Sequence, residues 1–424
     1  MSMVNDEKMS KSRRIFLMIF IHGLTIQWIV AQGSSAFLEH WVGSGRFSLS
    51  CDYNQELGSN GITTRFFRNY ISGDFLSDEV KQECIDQLKE ENTALVYYTG
   101  GIHASWSRGE EKVKYLLSAG FTSFNEVKFH KDLFALYFTG NKGFEGTTAE
   151  LHPFGFQNVE YSYLKAGIER KWNRFTLTGK IGLAAGYDVF TVNTERGSLF
   201  TANDGKYLDL SVKMNSADWI GNKRLIWNSD ALGFLVDAGC NVRLFKGSYI
   251  EASVSNVGSI SWNGNIKERT ADTLYRYEGT VINNLLDTFS LSVKSVKTLE
   301  SEFIKDYYSQ SRKTNLPVHY SVSLNHFWAE NTWHANLEVG KLDGKYADPY
   351  FMIGCNHIVT NFFSAGIRIK KFSYSGWDAG VQTGIKLGKS FGILLYWDSV
   401  GGILDDSREM NWSGGLHVRW NLLN

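Results

Sequence analysis

Proline is nearly missing. Pro153, Pro317 and Pro349 are the only three in 424 residues, against 41 glycines. Proline cannot donate to a β ladder, so its scarcity leaves room for long hydrogen-bonded strands. An excess of either charge is missing too: 44 Lys and Arg balance 44 Asp and Glu. Without a basic surface, nucleic acid is excluded as a partner. Cysteine is sparse. Cys51, Cys84, Cys240 and Cys355 stand far apart without a CxxC pair, which argues against a zinc or redox motif. A Cys51–Cys84 disulfide is possible in an oxidising compartment. The ten histidines form no HExxH and no His–carboxylate cluster, so no metal is expected. Phosphate-binding glycine motifs are absent as well, and no cofactor is expected. Past the N-terminus no run of about 18 apolar residues appears, which excludes a helical membrane domain.

What is present is aromatic. Trp, Tyr and Phe make up 14% of the chain. Such rings suit a water–lipid boundary, though a large soluble β protein uses them too. The mean hydropathy of −0.23 is low for a helical membrane protein. It is no obstacle to a barrel, whose strands turn only alternate residues to lipid.

The N-terminus reads as an export signal. Lys11, Arg13 and Arg14 precede a mostly apolar stretch from Ile15 to Val30, and Ala31 offers a small residue for cleavage. The expected organisation is a signal peptide over residues 1–31 and one domain over residues 32–424.

That domain alternates. Phe47, Leu49, Cys51 and Tyr53 share one parity, with Asp52 on the other. Phe175, Leu177, Ile181, Leu183, Ala185 and Tyr187 share a face without charge, and Lys180 lies opposite. Leu164–Ile168 repeats the pattern against Lys165 and Glu169. Phe234–Leu244 sets Asp237 and Arg243 against an apolar face. Segments beginning at Val318, Trp333, Phe363, Ala379, Ile393 and Leu416 alternate in the same way. Period two belongs to a strand with unlike faces. Several runs reach the 9–11 residues or so that a tilted membrane strand needs. Aromatics sit near their ends, and the chain finishes as a strand, which would close a sheet without an open edge. The expected fold is all-β: a single antiparallel transmembrane β-barrel of about 14 strands, within a range of about 12–16. Leu416, Val418, Trp420 and Leu422 should then face lipid. Asp52, Lys165, Glu169, Lys180, Asp237, Arg243, Glu338, Arg368 and Arg419 should face the lumen. The bland role for these nine is to hydrate and cross-brace the wall; the sharper one is to line a solute path.

Helical insertions interrupt the pattern. Ser77–Glu91 offers a cap at Ser77, acids in the first turn and an apolar stripe at Val80, Cys84, Ile85 and Leu88. Asp132–Phe138 and Leu285–Tyr308 read as partly helical. These segments could plug the lumen or cap its surface. Asn193–Lys206 and Ile266–Arg276 read as long loops.

Val159–Val192, with Leu133–Leu151 upstream and Ala252–Asn265 downstream, resembles a Bacteroidota outer-membrane barrel family of unknown function. That family is similar to the long-chain fatty acid transporter superfamily. The resemblance implies one barrel of about 14 strands, with irregular elements filling part of the lumen. It departs at the end: many such barrels finish on an aromatic residue, whereas this chain finishes Leu422-Leu423-Asn424.

Together these readings predict an outer-membrane protein of a Gram-negative, Bacteroidota-like cell. Its partners would be outer-membrane lipid and a small, hydrophobic solute that it binds or passes passively. The alternative is a structural barrel that docks an exported or cell-surface protein, for which the two long loops speak. No enzyme activity is expected. The nearest thing to a catalytic pattern is Val318–His326, where His319 and Ser321 share a face as base and nucleophile would. A remote lipid hydrolase reading rests on that pair alone.

Overall fold

Every alternating segment is a strand, and the strands close on themselves. The computed structural model describes residues 35–43, 45–108, 112–219, 229–278 and 305–423. The predicted cleavage site at Ala31 lies outside them. The strands are β1 (Phe47–Thr63), β2 (Glu91–Ser107), β3 (Val113–His130), β4 (Thr148–Glu150), β5 (Phe154–Lys171), β6 (Phe175–Thr201), β7 (Leu208–Trp219), β8 (Ala231–Phe245) and β9 (Ser248–Tyr277). After them come β10 (Lys305–Asn315), β11 (His319–Trp328), β12 (Trp333–Leu342), β13 (Tyr350–Ile358), β14 (Phe363–Lys371), β15 (Trp377–Leu387), β16 (Phe391–Trp397) and β17 (Glu409–Leu423). Leaving out β4, β7 and β10, the others pair antiparallel in chain order, and β17 returns to β1 through Cys51 opposite Val418. The result is a closed barrel of 14 strands.

The outer surface explains the alternation. Ile102, Leu117, Ile181, Val322, Ile353 and Ile367 are exposed, each between 41% and 68%. Rings lie beside the short turns, at Trp106, Trp172, Phe175, Phe245, Trp328 and Trp420. A second set lies away from those turns: Phe121 about halfway along β3, and Phe234, Tyr320, Phe351 and Trp377 at or near the starts of β8, β11, β13 and β15. An apolar belt between two aromatic girdles is how a barrel meets a bilayer.

Short turns gather at one end. Lys246-Gly247 joins β8 to β9, with Gly247 at φ +82°. Ala329-Glu330-Asn331-Thr332 joins β11 to β12, its first three residues all at positive φ. The long connections gather at the other end. There Asn193–Thr201 and Ile266–Arg276, expected as loops, are strand. They belong to β6, of 27 residues, and β9, of 30. Both strands run past the belt. There β7 takes over the place of β8 and β10 that of β11. Lys305–Tyr308, expected as partly helical, opens β10; the rest of that segment lies outside the described residues.

Helices fill the gaps. Among the described residues none is long and apolar enough to cross a membrane. The first, α1 (Ser35–Val42), precedes the barrel. The next are α2 (Thr64–Ser72), α3 (Asp78–Gln87) and α4 (Lys131–Thr139), and all three cap the long-loop end. Each begins on a side-chain cap: Thr63, Ser77 and His130 accept the N–H of Phe66, Val80 and Asp132. The predicted stripe of α3 packs with Phe66, Phe129 and Phe134 in one core. Burial there pushes the Cys84 thiol up to about 11, against hydrogen bonds from Thr63. Cys84 is a free thiol inside that core, and Cys51 is a free thiol exposed on the barrel wall, so the two do not pair.

Candidate functional site

The inner face is where the charged residues gather, and it is divided along the barrel axis. At the turn end α1 lies inside the wall. Phe37, Leu38, Trp41 and Val42 are at most 8% exposed and pack on Phe327 and Leu394. Leu394 alternates along β16 with Ile393 and Leu395, so it belongs to the inner parity. Polar contacts hold the helix in place. Lys386 Nζ donates to the Trp41 carbonyl at 2.5 Å, and Asn421 Nδ2 to the Gly43 carbonyl at 2.9 Å. Glu39 lies 3.2 Å from Arg419 and 3.8 Å from Lys114, which also lies 3.4 Å from Glu169.

Above α1 is a polar chamber of about 340 Å³. The position follows from the strands: on β17 it begins at His417, two residues beyond Arg419, and on β5 at Lys165, four beyond Glu169. Asp52, His103, Ser118, Lys180, Asp237 and Asn256 also line it. Lys165 Nζ donates to both oxygens of Asp237 and to Asn256 Oδ1, each at 2.8 Å. A β-bulge makes this possible. Asn256 sits at φ +64° where the β8–β9 register slips, and its backbone N–H donates to Asp237 at 2.9 Å. Across the chamber, His103 bonds Asp52 through Nε2 and Ser118 Oγ through Nδ1, the latter at 2.9 Å. Lys180 Nζ donates to Ser118 Oγ at 3.4 Å.

A smaller cavity of about 30 Å³ adjoins it and shares Asn54 and Tyr97. Here the Tyr350 hydroxyl donates to Glu338 at 2.6 Å, and Lys370 to Glu56 at 2.6 Å. Arg368 lies over the Tyr396 ring with its Nε 3.1 Å from Asp398.

The roof is apolar. Tyr161 and Tyr163 join Trp219, Trp262 and Leu316 in one cluster. Beside it, residues 343–349 fold inward over Tyr97 and Phe124. Glu126, 1% exposed, holds that loop. It accepts the N–H groups of Lys345 and Tyr346 at 2.7 and 3.2 Å and the Tyr374 hydroxyl at 2.9 Å. Substituting Glu126→Ala leaves the buried Tyr374 hydroxyl without its acceptor, at about 1–3 kcal/mol, and frees the two part-buried N–H groups that hold the loop. Trypsin cleavage after Lys345, absent in the wild type, should then appear; continued protection would deny Glu126 its role.

The nine residues expected on the lumen side thus fall into groups. Asp52, Lys165, Lys180 and Asp237 meet in the chamber, and Glu338 and Arg368 in the smaller cavity. Glu169 and Arg419 belong to the network around Glu39. Arg243 is exposed near the turns, away from both cavities. His319 and Ser321 are not brought together. His319 Nε2 meets the Tyr350 hydroxyl at 2.9 Å, while Ser321 Oγ meets Ser253 at 2.8 Å. Residues two apart on a strand stand side by side, and each turns to the neighbouring strand instead. His103, Ser118, Asn256 and His417 were missed. The signal available was the polar parity of Thr99, His103 and Ser105 against Ile102, Ala104 and Trp106.

On the outside, an apolar groove of about 690 Å³ crosses β8, β9, β11 and β12, with Ala238, Gly239 and Ala252 among its lining.

Solved structures share the barrel architecture at low identity. The toluene transporter TodX of P. putida is 10% identical with a TM-score of 0.44, covering 93% of this chain and 94% of that one. The Ralstonia pickettii toluene transporter TbuX is 9% identical with a TM-score of 0.42, over 89% and 90%. The translocator domain of the Neisseria meningitidis autotransporter NalP is 10% identical with a TM-score of 0.36, over 97% and 95%. No curated protein matches the chain. A family model does, over residues 47–394, which takes in the wall from β1 into β16 and every chamber residue but His417: the chain belongs to the family of unknown function DUF5723.

Proposed function

We propose that this protein is an outer-membrane barrel that admits a small solute to its inner chamber and passes it without energy coupling. The short-turn end would face the periplasm and the capped end the cell surface, as is usual for such barrels. A Gram-negative, Bacteroidota-like host fits the sequence resemblance. The observation that carries the reading is the chamber itself, a polar space of about 340 Å³ between the α1 stopper and an apolar roof. A barrel meant only as a scaffold would gain by filling that space. Paired charges and tyrosine rings line it, so the solute should be small, with a polar group on an apolar body. A freely open pore is disfavoured because α1 occupies the turn end. The docking alternative loses most of the support of its two loops, since Ile266–Arg276 is strand and Asn193–Lys206 is strand as far as Thr201.

The test is swelling of vesicles that hold the purified protein. The folded state is checked first by a mobility difference between heated and unheated gel samples. Glycine and arabinose should enter slowly and the trisaccharide raffinose not at all. Thr99→Trp, which fills the chamber wall, should bring the rate down to that of protein-free vesicles. Equal rates for Thr99→Trp and wild type, or no uptake by a folded barrel, would overturn the proposal.

A further inference from the structure

We infer that the chamber wall carries a serine nucleophile, Ser118, with His103 as its base and Asp52 orienting the base, built to cleave a small ester. The inference rests on the reading that small solutes reach the chamber.

The ladder fixes the three side chains. His103 and Ser118 are direct partners across β2 and β3. His103 is opposite Ser50 on β1, so Asp52 is its diagonal neighbour on the same face. Such rigid elements hold a constellation better than loops do. The hydrogen bonds set the roles. A carboxylate only accepts, so the His103 Nε2 that meets Asp52 carries the proton. In neutral imidazole the Nδ1 lone pair then faces the Ser118 hydroxyl at 2.9 Å, where a base must be. Asn54 Nδ2 reaches the second Asp52 oxygen at 3.4 Å. The fourth element is a cation. Lys180 Nζ is 3.4 Å from Ser118 Oγ, and among the described residues no carboxylate lies within 4 Å of it. Asp237, opposite Lys180 in the register, is turned to Lys165. Lys180 is therefore available where an oxyanion would form.

Ordinary wall bracing does not assemble these parts together. His334 lies between the amides of Asn325 and Asn356, without a hydroxyl or carboxylate. His326 has the Ser248 hydroxyl at 2.6 Å and no carboxylate. His319 has a phenol. Among the described residues, His103 alone joins an aliphatic hydroxyl to a carboxylate, and it does so on the larger of the two inner cavities described above.

The chemistry balances with water as the only co-reactant. Ser118 Oγ attacks the ester carbonyl carbon as its proton passes to His103 Nδ1. The carbonyl electron pair moves to oxygen beside Lys180. On collapse the carbon–alkoxy bond breaks, and the departing alkoxide takes the proton from His103. Water then attacks the acyl-serine and gives its proton to His103. Ser118 leaves and regains a proton, so ester and water become acid and alcohol.

The test uses the full-length folded protein in detergent and two small reagents, read by mass spectrometry of the peptide carrying position 118. Phenylmethylsulfonyl fluoride should add a benzylsulfonyl group to Ser118. Ser118→Ala should abolish the adduct, and His103→Gln should slow it about 100-fold, within the usual range for a general base. In parallel, the thiol introduced by Ser118→Cys reports access through methyl methanethiosulfonate. If that thiol reacts but wild-type Ser118 takes no sulfonyl group, the nucleophile is overturned and solute access stands. If neither reagent reacts, access fails and both readings fall. Equal labelling of wild type and His103→Gln would remove His103 as the base.

Discussion

Deleting Ser35–Val42 should raise the rate of arabinose uptake into protein-bearing vesicles by about 100-fold. Unseating α1 in the intact protein exposes Phe37, Leu38, Trp41 and Val42, all buried at present. Each such side chain is worth about 1.5–3 kcal/mol. Water already present around the unseated helix reduces that sum, but a few kcal/mol survive. A barrier of that size sets rates, at tenfold for each ~1.4 kcal/mol. Lys386→Ala is the milder version, because it removes only the contact to the Trp41 carbonyl. It should raise the rate less than the deletion and leave the mobility difference on a gel intact. An unchanged rate after deletion would mean that solute does not pass α1, and the stopper reading would fail.

The second large effect concerns stability, and it should be unequal between two partners. Asp237→Ala should destabilise the barrel by about 3–5 kcal/mol, the cost of leaving one member of a buried pair uncompensated. Side chains of Lys165 and Asp237 are 5% and 15% exposed. Without Asp237, Lys165 keeps only Asn256 as a hydrogen-bond acceptor, and Lys180 loses the carboxylate opposite it in the register. Two cations would then share the chamber with Asp52 alone, a carboxylate already held by His103. Lys165→Met should be milder, since Asp237 can turn to Lys180, its direct cross-strand partner. The measurement is the temperature at which the fast-running folded band converts to the unfolded one. If Lys165→Met lowers that temperature as much as Asp237→Ala does, the exchange between the two lysines is not available.

These residues also show what a linear reading can and cannot reach. Parity needs only the neighbours along one strand, because alternate side chains take opposite faces. Ile181 and Lys180 were therefore legible as an outer and an inner candidate without any partner strand. The α3 helix was legible for the same reason, since its cap at Ser77 and its stripe are local. Asn193–Thr201 and Ile266–Arg276 were not. Past the apolar belt no lipid demands an apolar face, so these strand ends lose their alternation and look like loops.

By itself, then, the sequence determined the strand period, the apolar outer face and the polar inner one, because each is set by residues one or two apart. Register was left to the tertiary structure. It brings His103 to Asp52 across 51 residues and Lys165 to Asp237 across 72. It sends His319 to Tyr350 rather than to Ser321, since reach across the ladder decides which inner residues touch. It also places α1 inside the wall, where its apolar face finds Phe327 and Leu394, a match that neither segment shows alone.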